Sequence, residues 1–151
     1  TKKIIIGIFG FIIGIVIAFF SESFFRNQIQ DLYQWTTSSR IQFVGKNFYI
    51  FGNSFQYVCF GISFLIFSLT IWNQKLKRIL ANGILIILIF TIAIIGISAI
   101  DANIKVMECT TCVDGIRKLH WNEIKYGLIL GISSIISIIP SLIIMLKKRK
   151  K

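Results

Sequence analysis

The sequence predicts an all-α integral membrane protein, a bundle of four transmembrane helices that alternate in direction, with both termini on the cytoplasmic side. Three observations predict this class. The chain is 55% hydrophobic and 15% charged, with a mean hydropathy of +0.77, whereas about 25% of residues are charged in an ordinary soluble domain. Long apolar stretches recur along the chain. The basic and acidic residues are divided unequally among the segments that connect those stretches.

Each apolar stretch is long enough to cross a bilayer as a helix. The clearest is 127–146, twenty residues without a charge, followed by the basic tail 147–151. At about 1.5 Å per residue such a helix is about 30 Å long, which is the thickness of the hydrocarbon core. The same pattern predicts the other spans at 4–20, 55–72 and 83–100. All 151 residues are expected to form one membrane domain.

The first stretch, 4–20, also begins as a secretory signal peptide does, with basic residues before an apolar run. Its apolar run is long for a signal peptide, so we expect a first membrane span. Gly10 and Gly14 lie four residues apart within it, and small residues at this spacing let another helix approach closely. We therefore expect Gly10 and Gly14 to make helix–helix contacts.

The charge distribution predicts the orientation. Ten of the 17 basic residues lie near the two termini and in the connection 73–82, whereas all 6 acidic residues lie in the two longer connections, 21–54 and 101–126. Cytoplasmic segments carry the excess of Lys and Arg, so both termini are predicted to be cytoplasmic and both longer connections to be outer loops. The net charge of +11 is thus that of a membrane protein, and nucleic acid is not an expected partner.

The first outer loop, 21–54, predicts two small elements. Apolar residues at helical spacing in 21–37 favour a short amphipathic helix that lies in the membrane interface. Two β-prone runs, 41–44 and 48–51, flank a short turn that contains glycine and suggest a hairpin. An extended loop that runs back to the membrane is an equally acceptable interpretation of the second half.

The fourth span carries small residues on one side. Gly127 and Gly131 are four residues apart, and Ser133 and Ser137 follow at helical spacing. Such a stripe favours helix packing, within the chain or between copies. A hydrophilic pore stripe in an oligomeric channel is the alternative. The predicted spans contain no Asp, Glu, Lys, Arg or His, which argues against a proton-coupled transporter.

The cysteines form the one motif with a specific chemistry. Cys109 and Cys112 are separated by two threonines in the second outer loop, and Cys59 lies near the outer end of the second span. On an oxidising side of the membrane, the pair is expected to form a structural disulfide. A redox-active pair, with Cys59 as a further thiol, and a half zinc site completed by another chain are the alternatives.

Four predicted spans with one Cys-x-x-Cys motif in an outer loop resemble the membrane thiol oxidases of the DsbB and vitamin K epoxide reductase type. The resemblance implies a thiol–disulfide oxidoreductase that passes electrons from Cys109 and Cys112 to a quinone. The chain departs from these enzymes because its first outer loop has no cysteine and no second pair is present.

The sequence contains no phosphate-binding loop, metal-binding motif or nucleophile elbow. We therefore expect a non-enzymatic subunit or sensor in a membrane assembly, formed with copies of itself or with larger partners. The high content of Ile, Lys and Asn suggests a bacterium, and hence the bacterial cytoplasmic (inner) membrane. The basic tail is expected to contact lipid or a partner. Its residues are Lys147, Lys148, Arg149, Lys150 and Lys151.

Overall fold

The protein is mostly helical. The computed structural model describes residues 2–45, 54–108 and 115–149, with the backbone alone for residues 148 and 149. Four helices in these ranges are long and apolar enough to cross a membrane. They are α1 (Lys2–Thr36), α2 (Ser54–Ile71), α3 (Leu76–Met107) and α4 (Tyr126–Arg149).

The first helix corrects the sequence-based boundary at residue 20. α1 continues without a break to Thr36, so the separate interfacial helix predicted over 21–37 is wrong. The chain has no glycine or proline between residues 21 and 36 that would end a helix, and the Ser21 hydroxyl donates to the carbonyl oxygen of Ile17 within the helix, at 2.6 Å. The polar residues that begin at Ser21 mark a change of surroundings, not the end of the helix.

The helices differ in length, and this difference shapes the molecule. At about 1.5 Å per residue, α1 is about 52 Å long and α3 about 48 Å, whereas α2 is about 27 Å and α4 about 36 Å. Only the lengths of α2 and α4 are close to the roughly 30 Å of a hydrocarbon core. α1 and α3 therefore continue well beyond the bundle.

Contacts along the helices give their relative directions. Gly10 of α1 lies against Ser68 of α2, and Tyr57 near the start of α2 bonds to Glu22 of α1, so these two helices are antiparallel. Ser63 and Thr70 of α2 donate to the carbonyl oxygens of Ser134 and Ser141, about two turns apart in α4, so α2 and α4 run the same way. α3 is antiparallel to α4 and joins it through Asn82.

The two longer connections meet in a small parallel sheet. Strand β1 (Ile41–Val44) pairs with strand β2 (Arg117–His120), with Ile41 opposite Arg117. Parallel strands require a long crossover between them, which α2 and α3 supply. In the described part of the chain, β1 therefore pairs with a strand from the second long connection. The second strand of the predicted hairpin, 48–51, lies outside the described residues.

We call residues 26–45, 98–108 and 115–125 the cap. It consists of the extensions of α1 and α3, the two strands and a 3-10 helix (Trp121–Glu123). Its interior is apolar and almost fully buried, and the phenyl ring of Phe43 stacks on Trp121 at a centroid distance of 4.5 Å. The side chains that form this interior are Ile29, Tyr33, Ile41, Ala102 and Leu119.

The two ends of the bundle differ in charge. The end that holds the start of α1, the α2–α3 connection and the end of α4 carries basic residues and, in the described part of the chain, no acidic one. We call it the basic end. The opposite end carries the cap and the acidic residues of the described ranges, and we call it the acidic end.

Candidate functional site: a buried polar cluster at the base of the cap

Polar and charged side chains are buried where the cap joins the bundle. Glu22 and Arg26 project from α1 on successive turns and are 5% and 9% exposed. Both lie on the same side of α1 as the glycines, because positions four residues apart share a helix face. We call the following residues the polar cluster: Glu22, Arg26, Gln30, Tyr33, Tyr57, Asp101 and Tyr126.

Tyrosine hydroxyls bind both carboxyl groups of the polar cluster. Tyr57 of α2 donates to Oε2 of Glu22 in α1, and Tyr33 of α1 donates to Oδ2 of Asp101 in α3. Hydrogen bonds to charged acceptors are about twice as strong as neutral ones. These two contacts therefore join α1 to α2 and to α3, at points about three turns apart along α1.

The start of α4 joins the polar cluster through Tyr126. The amide nitrogen Nε2 of Gln30 donates to the Tyr126 hydroxyl at 2.7 Å, and that hydroxyl donates to the carbonyl oxygen of Trp121 at 3.1 Å. The guanidinium carbon of Arg26 lies 4.4 Å from the centroid of the Tyr126 ring, a cation–π distance. All four helices thus contribute to the polar cluster.

This arrangement is suited to mechanical coupling. A buried polar group left without a partner costs about 1–3 kcal/mol, so a shift of α1 against α3 or α4 would break contacts that the interior cannot replace. The polar cluster therefore fixes the position of the cap on the bundle.

Sequence reasoning missed the polar cluster because it treated residue 20 as the end of the first helical segment. A signal was present. The buried face of α1 recurs every three or four residues along the whole helix, and Glu22 and Arg26 continue it in phase. The members of this buried face are Gly7, Gly10, Gly14, Ala18, Glu22, Arg26, Ile29, Gln30 and Tyr33.

The predicted packing glycines of α1 lie against α2. A Cβ atom on Gly14 would be 2.5 Å from the carbonyl oxygen of Phe60, and one on Gly10 would be 2.9 Å from that of Phe64. These distances to backbone atoms are too short for a side chain. At both positions the two helix backbones are close together, as small residues permit.

The predicted small residues of α4 face the interior of the same chain. Gly127, Ser133 and Ser137 are buried, and a Cβ atom on Gly131 would be 2.6 Å from the ring of Phe55. The Ser137 hydroxyl donates to the carbonyl oxygen of Ser134 at 2.7 Å. This stripe contacts other helices of its own chain and does not lie on the outer surface.

Of the three cysteines, the structure describes Cys59. Cys109 and Cys112 lie outside the described residues, so their predicted disulfide and their redox alternative remain predictions. Cys59 is a free thiol, 5% exposed, and its Sγ atom would be 3.2 Å from a Cβ atom on Gly131. Among residues 2–45, 54–108 and 115–149, no three His, Cys, Asp or Glu side chains form a metal-binding group.

The basic tail is described in part. Lys147 is exposed at the basic end, and α4 continues to Arg149. The side chains of Lys148 and Arg149, and all of Lys150 and Lys151, lie outside the described part.

An apolar cavity of about 380 Å³ lies beside the polar cluster, among all four helices. Phe25, Phe60 and Phe90 form one wall, with Phe90 in edge-to-face contact with both other rings. Ser63 and Ser134 also line the cavity, but their hydroxyls bond to each other at 2.8 Å. The cavity is therefore suited to an apolar group such as a hydrocarbon chain.

Comparison with known proteins gives no relative to place beside this site. No protein-family model matches the chain, and neither the curated proteins nor the solved structures provide a match. The fold and the polar cluster therefore carry the functional argument by themselves.

Proposed function

We propose that this chain is a multi-pass protein of the bacterial cytoplasmic (inner) membrane that acts, without catalysis, as a subunit or sensor in a membrane assembly. Both termini and the basic end would lie in the cytoplasm, because cytoplasmic segments carry the excess of basic residues. The cap would then lie on the outer side.

The observation that carries this proposal is the pairing of β1 with β2 on top of the two longest helices. Both outer loops enter one small sheet, so a contact at either loop acts on the same structure. α1 and α3 continue from this structure through the bundle, and the polar cluster joins them to α2 and α4. A partner at the cap would thus influence all four helices together.

The surface of the cap offers groups for recognition. Gln42 and Lys118 are opposite each other in the sheet, and both are exposed. Trp35 is 73% exposed near the end of α1. Exposed aromatic and polar side chains on a rigid support are typical of binding surfaces.

Native mass spectrometry of the protein extracted from its own membrane in a mild detergent tests the proposal. We expect a homo-oligomer or a complex with a second protein. Lys118→Glu, in the cap, should reduce that association, whereas Lys77→Glu, an equal charge change at the basic end, should leave it intact. A single chain without a protein partner would contradict the proposal.

The orientation has a separate test. A membrane-impermeant maleimide should label Ser39→Cys in the cap from the outside of intact cells, and should label Lys77→Cys only after the membrane is opened. Both variants are made in a background with the three native cysteines replaced by serine. The opposite labelling pattern would reverse the orientation without affecting the fold.

A further inference from the structure

The basic end contains a second cavity, of about 570 Å³, between the first turns of α3 and the last turns of α4. Two cations line it, Arg78 and Lys147. Both side chains are exposed, and neither contacts a carboxylate in the ranges that the structure describes. These two cations favour an anionic ligand in the cavity.

The side chains become less polar with depth. On α3, Arg78, Asn82 and Leu85 follow at intervals of four and three residues, so they lie on one face. Ile144 of α4 supplies a further apolar wall. Cation, amide and aliphatic side chains therefore succeed one another from the end of the bundle inward, in the order in which a phospholipid presents phosphate, polar backbone and acyl chain.

Asn82 gives independent evidence for a ligand. It lines the cavity and is only 8% exposed. Its amide nitrogen Nδ2 donates to the Ser141 hydroxyl at 2.8 Å, but its oxygen Oδ1 is buried without a hydrogen-bond partner in the described chain. A buried acceptor requires a donor, and a phosphate group in its charged form offers only acceptors. A ligand that carries a hydroxyl or an ammonium group as well as an anion would supply this donor.

We propose that this cavity binds the headgroup of an anionic phospholipid that carries a hydroxyl, of the phosphatidylglycerol class, in the leaflet at the basic end. The phosphate contacts Arg78 and Lys147, a headgroup hydroxyl donates to Oδ1 of Asn82, and an acyl chain lies along Leu85 and Ile144. The two cations disfavour an ammonium headgroup in the same place, because like charges repel. The choice of the cytoplasmic leaflet rests on the proposed orientation, but the binding itself does not.

The test measures retained lipid by native mass spectrometry of the full chain, with lipid supplied at known concentrations. Three lipids with the same acyl chains are compared. They are phosphatidylglycerol, phosphatidylmethanol, which has the same charge and no hydroxyl, and phosphatidylethanolamine, which is zwitterionic. We expect phosphatidylglycerol to bind most tightly and phosphatidylethanolamine least. Equal binding of all three would overturn the proposal.

Matched variants locate the site. Arg78→Gln and Lys147→Gln should each weaken phosphatidylglycerol binding about fivefold, as expected for one basic residue near an anionic headgroup. Lys77→Gln removes a neighbouring charge that does not line the cavity and should change binding less than twofold. An equal effect of all three substitutions would indicate general attraction to a basic surface and would overturn the proposal.

A further pair of variants examines the hydroxyl contact. Asn82→Leu should weaken binding of phosphatidylglycerol to the level of phosphatidylmethanol, whereas Ser141→Ala leaves Oδ1 in place and should preserve the difference between these lipids. An unchanged preference in Asn82→Leu would overturn this contact. Thermal unfolding in lipid-free detergent controls for loss of fold. Inorganic phosphate should not compete, because it lacks the acyl chain, and full competition would assign the site to a soluble anion instead.

These outcomes are separable from those for the proposed function. The number of lipids per chain is measured on a monomer or on any oligomer, so a failure of the assembly proposal leaves this test valid.

Discussion

The hydroxyl of Tyr33 donates a hydrogen bond to the carboxylate of Asp101 and so joins α1 to α3 where both helices enter the cap. Tyr33 is fully buried, with 0% exposure. Since Tyr33 also packs in the apolar interior of the cap, one side chain serves both the packing of the cap and its attachment to the bundle.

Removal of this hydrogen bond should loosen the cap. We expect Tyr33→Phe to lower the free energy of unfolding by about 1–3 kcal/mol, because the half-buried carboxyl group of Asp101 loses its donor. Asp101→Asn should lower the free energy of unfolding by a similar amount. The double variant should lose less than the sum of the two, because substitutions of contacting residues are not additive. Thermal unfolding in detergent measures the three values, and strict additivity would show that the two groups do not interact.

Hydrogen exchange locates the effect. The amides of Ile41–Val44 should exchange faster in Tyr33→Phe, whereas those near the contact of Ser63 with Ser134 should be unchanged. Uniformly faster exchange throughout α2 and α4 would instead indicate that the substitution destabilises the whole bundle.

The close approach of α1 and α2 predicts a strong effect of one methyl group. Gly14→Ala places a Cβ atom 2.5 Å from the carbonyl oxygen of Phe60, and we expect a loss of about 1–3 kcal/mol from overpacking. Gly96→Ala is the control, because nothing lies within 4 Å of a Cβ atom there. Its effect should be neutral or stabilising, since alanine is the better helix former. Equal melting temperatures for both variants would contradict the packing.

Alanine substitutions of Gly45 and Gly115 distinguish the effect of backbone strain in the cap from that of steric contact. Both have positive φ, of +85° and +75°, so alanine is strained at either position. Only at Gly45 would a Cβ atom meet a neighbour, Nδ1 of His120 at 2.8 Å. Gly45→Ala should therefore destabilise the cap more than Gly115→Ala by about 1 kcal/mol or more. His120→Ala should remove that difference, and its persistence would exclude His120 as the cause.

The serine contacts between α2 and α4 should contribute modestly. Ser63 donates to the carbonyl oxygen of Ser134 at 3.1 Å, and Ser134 donates to the Ser63 hydroxyl at 2.8 Å. We expect Ser134→Ala to cost about 0.6 kcal/mol, the average for such bonds between membrane helices. Thr91→Val is the control, because the exposed Thr91 hydroxyl donates within its own helix, to the carbonyl oxygen of Ile87. An equal loss of stability in both variants would show that the interhelical bond contributes nothing.

The cysteine predictions are tested with one double variant. Cys109→Ser with Cys112→Ser leaves Cys59 as the last of the 3 cysteines. Because Cys59 is 5% exposed, we expect it to react with maleimide only after unfolding in SDS. If the chain is not an oxidoreductase, the double variant should retain the wild-type assembly in native mass spectrometry. Quinone reduction by the wild type that is lost in the double variant would favour the enzymatic alternative.

The sequence by itself determined the membrane class and the places where helices form. Uncharged runs such as 127–146 permit little else in a bilayer, because a helix satisfies every backbone polar group within its own segment. The unequal distribution of basic and acidic residues is likewise a property of the sequence, and it predicts the orientation in the membrane. The same residue patterns even contained the buried face of α1, although the polar residues after Phe20 obscured it.

Only the tertiary structure decided how far the helices extend and what their polar residues contact. Glu22 accepts from Tyr57, 35 residues away, and Asp101 accepts from Tyr33, 68 residues away. No local pattern predicts either pair. The pairing of β1 with β2 is equally non-local, since two helices separate the strands. Local sequence fixes helix propensity and apolar length, whereas partners across the fold depend on how the helices pack, and this is why the sequence predicted the bundle but not the polar cluster.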